Sequence, residues 1–332
     1  MRAPRFWWQE RPALFAQILS PLAHMWGFAA GLRMQRIGMK TQIPVICIGN
    51  FVVGGAGKTP LALAIMQVLQ AKGEYGMFLT RGYGGARIGP IPVQVDLVHH
   101  QAGDVGDEAL LLARQAPTLA GIDRVAGVKL AESLGASLVV MDDGFQNPSL
   151  KKSVSILAVD AETGIGNGLC VPAGPLRAPL SVQRSFVDAL MLIGEGEAGE
   201  RLIALLPDVP VFRAHVQADP VQAEQFKNQK VVAFAGIGRP EKFFATLRQC
   251  GADVVAEHSF ADHHPFSLQE IASLKESAKA KGALLVTTQK DLVRCAEPSG
   301  IHALMIRHVW DEPDLFTQWL IKRISDWRAE QD

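Results

Sequence analysis

The chain has 332 residues, 48% of them apolar, with Lys plus Arg and Asp plus Glu equal at 33 each. That is enough length and apolar content for two ordinary domains. It excludes a disordered chain, and the balanced charge offers no general attraction to nucleic acid or an acidic polymer. Cys47, Cys170, Cys250 and Cys295 are scattered without zinc-ligand spacing, which fits free thiols in a reducing compartment. No segment calls for a protein partner.

Residues 1–40 form an apolar segment, running from Ala13 to Leu32 between Arg2, Arg5 and Arg11 on one side and Arg33, Arg36 and Lys40 on the other. A secretion signal is poorly supported, because the only weak cleavage candidate is Gly27-Phe28-Ala29. A spanning helix is possible by length, yet Pro21 interrupts it, and Gln17, Ser20, His24, Gly27 and Gly31 share one stripe. That pattern suits a helix lying in a membrane interface, with Phe15, Trp26 and Phe28 toward acyl chains and arginines at anionic headgroups. A first helix packed on the core is an equal alternative from this segment alone.

Ile43 to Gly49 reads as a buried strand running into Gly54, Gly55, Ala56, Gly57, Lys58, Thr59 and Pro60. Glycines between a strand and a helix let backbone N–H groups close around phosphate oxygens. Lys58 would reach the terminal phosphates, and Thr59 would hold Mg²⁺. The strict pattern has a glycine where Val52 stands, so the motif is a variant. A helix from Pro60 to Ala71 follows, then a strand from Tyr75 to Leu79 that delivers Thr80-Arg-Gly-Tyr-Gly-Gly85 at its tip. Helices are expected at Glu108 to Arg114 and Val125 to Leu134. A buried strand from Ser137 to Met141 then runs into Asp142-Asp143-Gly144, which has the form of a Walker B strand end. Asp107-Glu108 could equally be an acidic helix start. With apolar runs at Ser155 to Val159 and Phe186 to Ile193, the pattern predicts a phosphate-loop-type, doubly wound, mostly parallel α/β sheet.

A phosphate-loop α/β domain is thus expected over 41–218 and a polar linker over 219–230. A second, smaller α/β domain is expected over 231–332, with strands at Val231 to Phe234, Ala283 to Val286 and His302 to Ile306. Ser267-Leu-Gln-Glu270 is a capping box, and an amphipathic helix is expected from Pro313 to Trp327. Thr288-Gln-Lys-Asp291 lacks the spacer of a guanine-recognition motif, which disfavours a GTPase. The pairs His99-His100 and Asp262-His263-His264 have no third ligand at metal spacing.

Together these blocks resemble the tetraacyldisaccharide 4′-kinase (lipid A 4′-kinase) family. The resemblance is carried by Gly49-Asn50 with Gly54-Gly-Ala-Gly-Lys-Thr-Pro60, Arg81-Gly-Tyr-Gly84, Val105-Gly-Asp-Glu108, Asp123-Arg-Val-Ala-Gly127 and Asp142-Asp-Gly-Phe-Gln146. It continues through Pro172-Ala-Gly-Pro-Leu-Arg177, Ala233-Phe-Ala-Gly-Ile-Gly238, Asp262-His263 and the Val286 to Asp291 strand end, in family order. The resemblance implies ATP- and Mg²⁺-dependent phosphorylation of the 4′-hydroxyl of a tetraacyldisaccharide 1-phosphate, at the cytoplasmic face of the bacterial inner membrane. It implies Asp107 as base with His263 as its partner, and Lys58 on the β- and γ-phosphates. Thr59, Asp142 and Asp143 would serve the metal, and Arg81, Tyr83, Arg124, Asn147 and Arg177 the substrate.

The chain departs from the family pattern at four positions. Asn147 stands for a histidine, Ala178 for an acidic residue, Ala109 for proline and Gln289 for glutamate. A soluble metallochaperone-like or switch NTPase and a non-catalytic lipid-binding relative are the alternatives from other classes.

Overall fold

The computed structural model of the protein describes residues 3–55 and 57–331; Ala56 of the glycine-rich loop and Arg2 of the first basic cluster lie outside the described residues. In chain order the first elements are α1 (Leu14–Met34), β1 (Val45–Gly49), α2 (Lys58–Ala71), β2 (Gly76–Thr80), β3 (Val93–Gln94), α3 (Ala102–Val105), α4 (Asp107–Ala113), β4 (Thr118–Ala120), α5 (Arg124–Ser133) and β5 (Leu138–Asp142). Next come β6 (Val154–Asp160), α6 (Leu180–Gln183), β7 (Ala189–Ile193), α7 (Glu197–Ala204), β8 (Val211–Ala218) and α8 (Pro220–Phe226). The chain continues with β9 (Lys230–Ala235), α9 (Pro240–Gln249), β10 (Asp253–Ser259), α10 (Leu268–Ala280), β11 (Leu284–Thr288), α11 (Gln289–Leu292), β12 (His302–Leu304), β13 (Ile306–Trp310) and α12 (Pro313–Ala329).

Nine of these strands form one sheet in the order β13-β8-β7-β6-β1-β5-β2-β4-β3. Pairing is parallel from β8 through to β4, and an antiparallel strand closes each edge. The apolar run of β1 explains its central place: Val45 and Cys47 enter the core under α5 and α7, while Ile46 and Ile48 enter the opposite core under α2 and α12. Such two-sided burial is what a continuous apolar strand requires. Strand order reverses around β1, so the crevice beyond its carboxyl end is where a ligand site forms in this architecture. The glycine-rich loop leaves β1 at that crevice.

The second sheet, β10-β9-β11-β12, is parallel throughout. Two features differ from the sequence expectation. Residues 219–230 are not an open linker: Asp219 caps α8 by accepting from the Val221 and Gln222 N–H groups, and Phe226 is buried in the second core. The second unit also does not run continuously over 231–332, because the expected strand from His302 to Ile306 is split between the two sheets. Met305 donates its N–H to the Gln222 side chain at 2.7 Å and accepts from Asp219 N at 2.8 Å. Beyond it, β13 joins β8 antiparallel and α12 returns to the first core through Phe316, Leu320 and Ile324. Arg328 fixes the end of α12 with a two-pronged bond to Glu74 at 2.8 and 2.9 Å.

Helix α1 buries mostly small residues and exposes most of its large ones. Ala16, Ala23, Gly27 and Gly31 face the protein, whereas Leu14, Phe15, Ile18, Leu22, Met25, Trp26, Phe28 and Leu32 are exposed. Close approach is the reason for glycine here: a Cβ on Gly27 would stand 3.0 Å from Cys170 Sγ and 3.3 Å from Pro179 Cγ. Among the described residues no helix is long and apolar enough to cross a membrane.

Leu320→Ala should cost the nine-stranded unit about 2–5 kcal/mol, as buried leucine truncations do. Denaturant unfolding followed with and without ATP checks this, since the nucleotide-protected transition should be the one that shifts.

Candidate active site

The phosphate loop is held from one side by the segment following Pro172. Val53 N donates to the Pro175 carbonyl at 2.8 Å, and Arg177 Nε donates to the Val52 carbonyl at 2.9 Å. Val52 therefore stands where side-by-side pairing with Leu176 anchors the loop's entry. Gly57 has φ +77°, a left-handed conformation that favours glycine, and a Cβ there would meet Ile193 and His308 at 3.0 to 3.3 Å. Lys58 begins α2, and its ammonium donates to the Gly54 carbonyl at 3.2 Å. Burial pulls the Lys58 pKa down, against the pull of nearby Asp143. Its charge thus sits in the mouth of the loop, where phosphate oxygens would replace a backbone carbonyl as acceptors.

The adjacent carboxylates at the end of β5 have different environments. Asp142 accepts from Thr59 Oγ1 at 2.9 Å through Oδ2, while its buried Oδ1 has no partner among the described residues. Burial, then the negative charges of Glu108 and Asp143, push the Asp142 carboxyl up to about 7. For Asp143 burial acts in the same direction, but Lys58 and Arg177 outweigh it and hold the carboxyl below its ordinary value. The Arg177 guanidinium spans both Asp143 oxygens at 2.7 and 3.1 Å. Both residues of that pair are thus already engaged, whereas the Thr59–Asp142 pair presents an unsatisfied oxygen. Hydroxyl and carboxylate donors with an orphaned lone pair fit a small hard cation such as Mg²⁺.

Asp107 opens α4 and is only 4% exposed. Its Oδ2 lies 3.1 Å from His263 Nδ1, which comes from the second sheet's side of the cleft. His263 is held in a left-handed conformation at φ +58°, with its N–H on the Gly236 carbonyl at 3.1 Å. Lys290 donates to His263 Nε2 at 3.2 Å and to Glu108 Oε1 at 3.0 Å. Burial opposes the Lys290 charge, but Glu108 and Asp107 outweigh it and raise its pKa, so the group remains an ammonium and only donates. In the neutral imidazole Nε2 is therefore the acceptor, and Nδ1–H points at Asp107. Burial would raise the Asp107 carboxyl, yet the His263 hydrogen bond and the charges of Lys290 and Arg294 bring it below the ordinary carboxylate value. Because the shift is downward, Asp107 stays ionised at neutral pH, and its charge is lost only as pH falls through that depressed value.

The remaining expected residues fall into two groups. Tyr83 lies edge-on to His263 at 5.8 Å between ring centroids, beside the dyad. Arg124 and Asn147 line one cavity of about 330 Å³ with Arg33 and Arg36 from the end of α1. Arg124 is 3% exposed, and its Nε has no partner among the described residues. Burial, followed by repulsion from nearby Arg81, pulls its pKa down to about 10. An anion would relieve both.

Lys290 and Arg294 carry no role in the sequence reading, although the structure puts both on the dyad; Arg294 NH1 lies 3.6 Å from Asp107. The signal was present in Thr288-Gln-Lys-Asp291. Thr288 caps α11 by accepting from Asp291 N, and that cap turns Lys290 back toward the cleft.

The family profile described as tetraacyldisaccharide-1-P 4′-kinase matches residues 15–325. The tetraacyldisaccharide 4′-kinase of Rhodopseudomonas palustris (strain BisB5) is 44% identical over 338 residues, covering 100% of this chain and 99% of the relative. That of Xanthobacter autotrophicus is 51% identical over 302 residues, covering 90% and 87%. The crystal structure of LpxK from Aquifex aeolicus in complex with ATP superposes with a TM-score of 0.73 at 25% identity, covering 94% of this chain and 99% of that one.

Lys290→Met should lower kcat by about tenfold to a hundredfold, part of the ~10²–10⁴ that positioned proton transfer supplies, with ATP affinity little changed. Steady-state kinetics alongside nucleotide titration checks the split.

Proposed function

The chain belongs to the tetraacyldisaccharide-1-P 4′-kinase family, and from that premise we propose how its own residues carry out the reaction. The enzyme is a lipid A 4′-kinase that transfers a phosphoryl group from ATP to the 4′-hydroxyl of tetraacyldisaccharide 1-phosphate, at the cytoplasmic face of the bacterial inner membrane. The observation that carries the residue assignment is the 3.1 Å Asp107–His263 contact, which joins the phosphate loop's own unit to the second one.

The loop backbone and Lys58 bind the triphosphate of ATP, and Lys58 exchanges the Gly54 carbonyl for a phosphate oxygen. Asp107 takes the proton of the acceptor hydroxyl as that oxygen bonds to the γ-phosphorus and the β,γ-bridging oxygen leaves with ADP. His263 orients Asp107 through Nδ1–H, and Lys290 fixes the imidazole. A carboxylate held at low pKa is a weak base, so its share is orienting the hydroxyl as much as deprotonating it. That suits a loose phosphoryl transition state in which positioning dominates. Thr59 and Asp142 are the residues that would hold Mg²⁺, which would neutralise charge on the phosphates. Arg177 acts at one remove by keeping Asp143 ionised and in place.

On the acceptor side, Arg124 and Asn147 offer the phosphate already on the lipid a cavity with Arg33 and Arg36, with Arg81 nearby and Tyr83 beside the reacting end. Helix α1 presents Trp26, 56% exposed, and Phe28, 69% exposed, to the acyl region.

Asp107→Ala should abolish transfer of label from γ-labelled ATP to tetraacyldisaccharide 1-phosphate while leaving nucleotide affinity near that of the parent; equal loss of both would make Asp107 a nucleotide-binding or structural residue. Trp26→Ser with Phe28→Ser should weaken partition onto anionic vesicles about tenfold or more, the worth of two apolar side chains left in water. Vesicle sedimentation reads this, and undiminished binding would remove α1 from the interface.

A further inference from the structure

His308 lies in the middle of β13, opposite Val216 of β8, and is 5% exposed. Neither ring nitrogen has a hydrogen-bond partner among the described residues. Burial pulls its pKa down to about 4, so the ring is neutral and carries one donor and one acceptor. A buried polar group left unpaired is destabilising, and isolated cases in native proteins call for a reason.

The phosphate loop is what the ring faces. A Cβ built on Gly57 would lie 3.2 Å from His308 Cε1 and 3.3 Å from Nε2, so the Nε2 edge is packed directly against the loop's left-handed residue. The loop is also internally satisfied in a way that bound phosphate would undo: both Asn50 Nδ2, at 3.1 Å, and Lys58 Nζ, at 3.2 Å, are spent on the Gly54 carbonyl. When Lys58 turns to a phosphate oxygen, the Gly54 carbonyl loses one tether, and the imidazole against Gly57 is placed to supply another to the loop.

We propose that His308 is a positioning residue for ATP, its Nε2 hydrogen-bonding the backbone of the phosphate loop at Gly57 when the loop closes on the triphosphate. The assignment rests on residues 54–59 being the ATP loop. It makes β13, a strand reached through Met305 from the second sheet, part of the nucleotide site of the first.

The test uses the intact enzyme, a fluorescent ATP analogue and the acceptor lipid. His308→Phe fills the space without a hydrogen bond, and His308→Gln restores an amide within reach. The expected result for His308→Phe is ATP affinity weakened about fivefold, the worth of one ordinary neutral hydrogen bond. Its KM for the lipid should stay unchanged and its thermal midpoint equal or exceed that of the parent, because the unpaired group is gone. His308→Gln should recover most of the affinity. Parental ATP affinity in His308→Phe would overturn the proposal. So would parallel losses of ATP affinity, lipid KM and thermal midpoint that Gln does not repair, since these would mark packing alone. Lys58→Ala serves as the control: if it leaves ATP affinity intact, the reading of the loop itself fails, whereas loss there with a parental His308→Phe removes only the role of His308.

Discussion

A single hydrogen bond between two units of the fold organises this protein. Asp107 belongs to a helix on the nine-stranded sheet, and His263 to a loop beside the four-stranded one, yet they meet at 3.1 Å. Neither group is useful in isolation. A carboxylate 4% exposed would be pushed toward protonation by burial, and it is the imidazole, with Lys290 and Arg294 behind it, that keeps it ionised. The ionised carboxylate therefore depends on the two units being together. A second set of contacts acts on the same placement. Arg239 and Lys242, at the start of α9, reach Asp160 at 3.0 and 2.7 Å at the end of β6. The chain leaves the nine-stranded sheet through β8 and returns to it through β13, its antiparallel neighbour.

The two aspartates at the end of β5 show how one dipeptide can hold two roles. Asp143 faces Lys58 and Arg177 and is fully compensated, so it serves as a fixed negative charge that locates the cations around it. Asp142 has a hydroxyl on one oxygen and, among the described residues, no partner on the other, and its neighbours Glu108 and Asp143 are both acidic. Adjacent carboxylates whose environments drive their pKa values apart carry different tasks. Here the uncompensated one is beside the hydroxyl of the phosphate loop, where a cation would be stabilised most.

Much of this was legible because the local signals agree with the tertiary structure. The apolar run before the glycines became the central strand, and the Asp142-Asp143 strand end came to face the loop; Asp107 and His263, which only the family resemblance paired, came together across 156 positions of sequence. Three things were not legible. The chain's return to the first sheet depends on Met305, whose two backbone bonds divide one short apolar run between two sheets. Helix α8 has one buried anchor, Phe226, too few for periodicity to show, although Asp219-Pro220 was a usable cap signal. The supporting shell of Lys290, Arg294 and Glu108 consists of charged side chains that a sequence presents as surface residues, and only the geometry of α11 against α4 brings them to the dyad.

Helix α1 inverts the usual amphipathic rule, and the inversion locates the active site relative to lipid. Glycine and alanine face the protein because the segments around Cys170 and Pro179 come too close for larger side chains. The bulky apolar residues are left outward, where water would make them a liability and acyl chains would not. The polar stripe read from Gln17 to Gly31 is accordingly divided: its glycines pack inward, and His24 remains exposed with Nδ1 2.7 Å from the Ser20 carbonyl. At its C-terminal end the same helix delivers Arg33 and Arg36 to the cavity of Arg124 and Asn147. Apolar bulk followed by clustered arginines is the order of a membrane interface read outward from acyl chain to headgroup. A lipid whose chains lie along α1 would thus have its phosphate level with the arginines, at the rim of the unit that carries Asp107. On the function proposed above, the cleft would then lie at the surface of the bilayer, and the acceptor need not leave it.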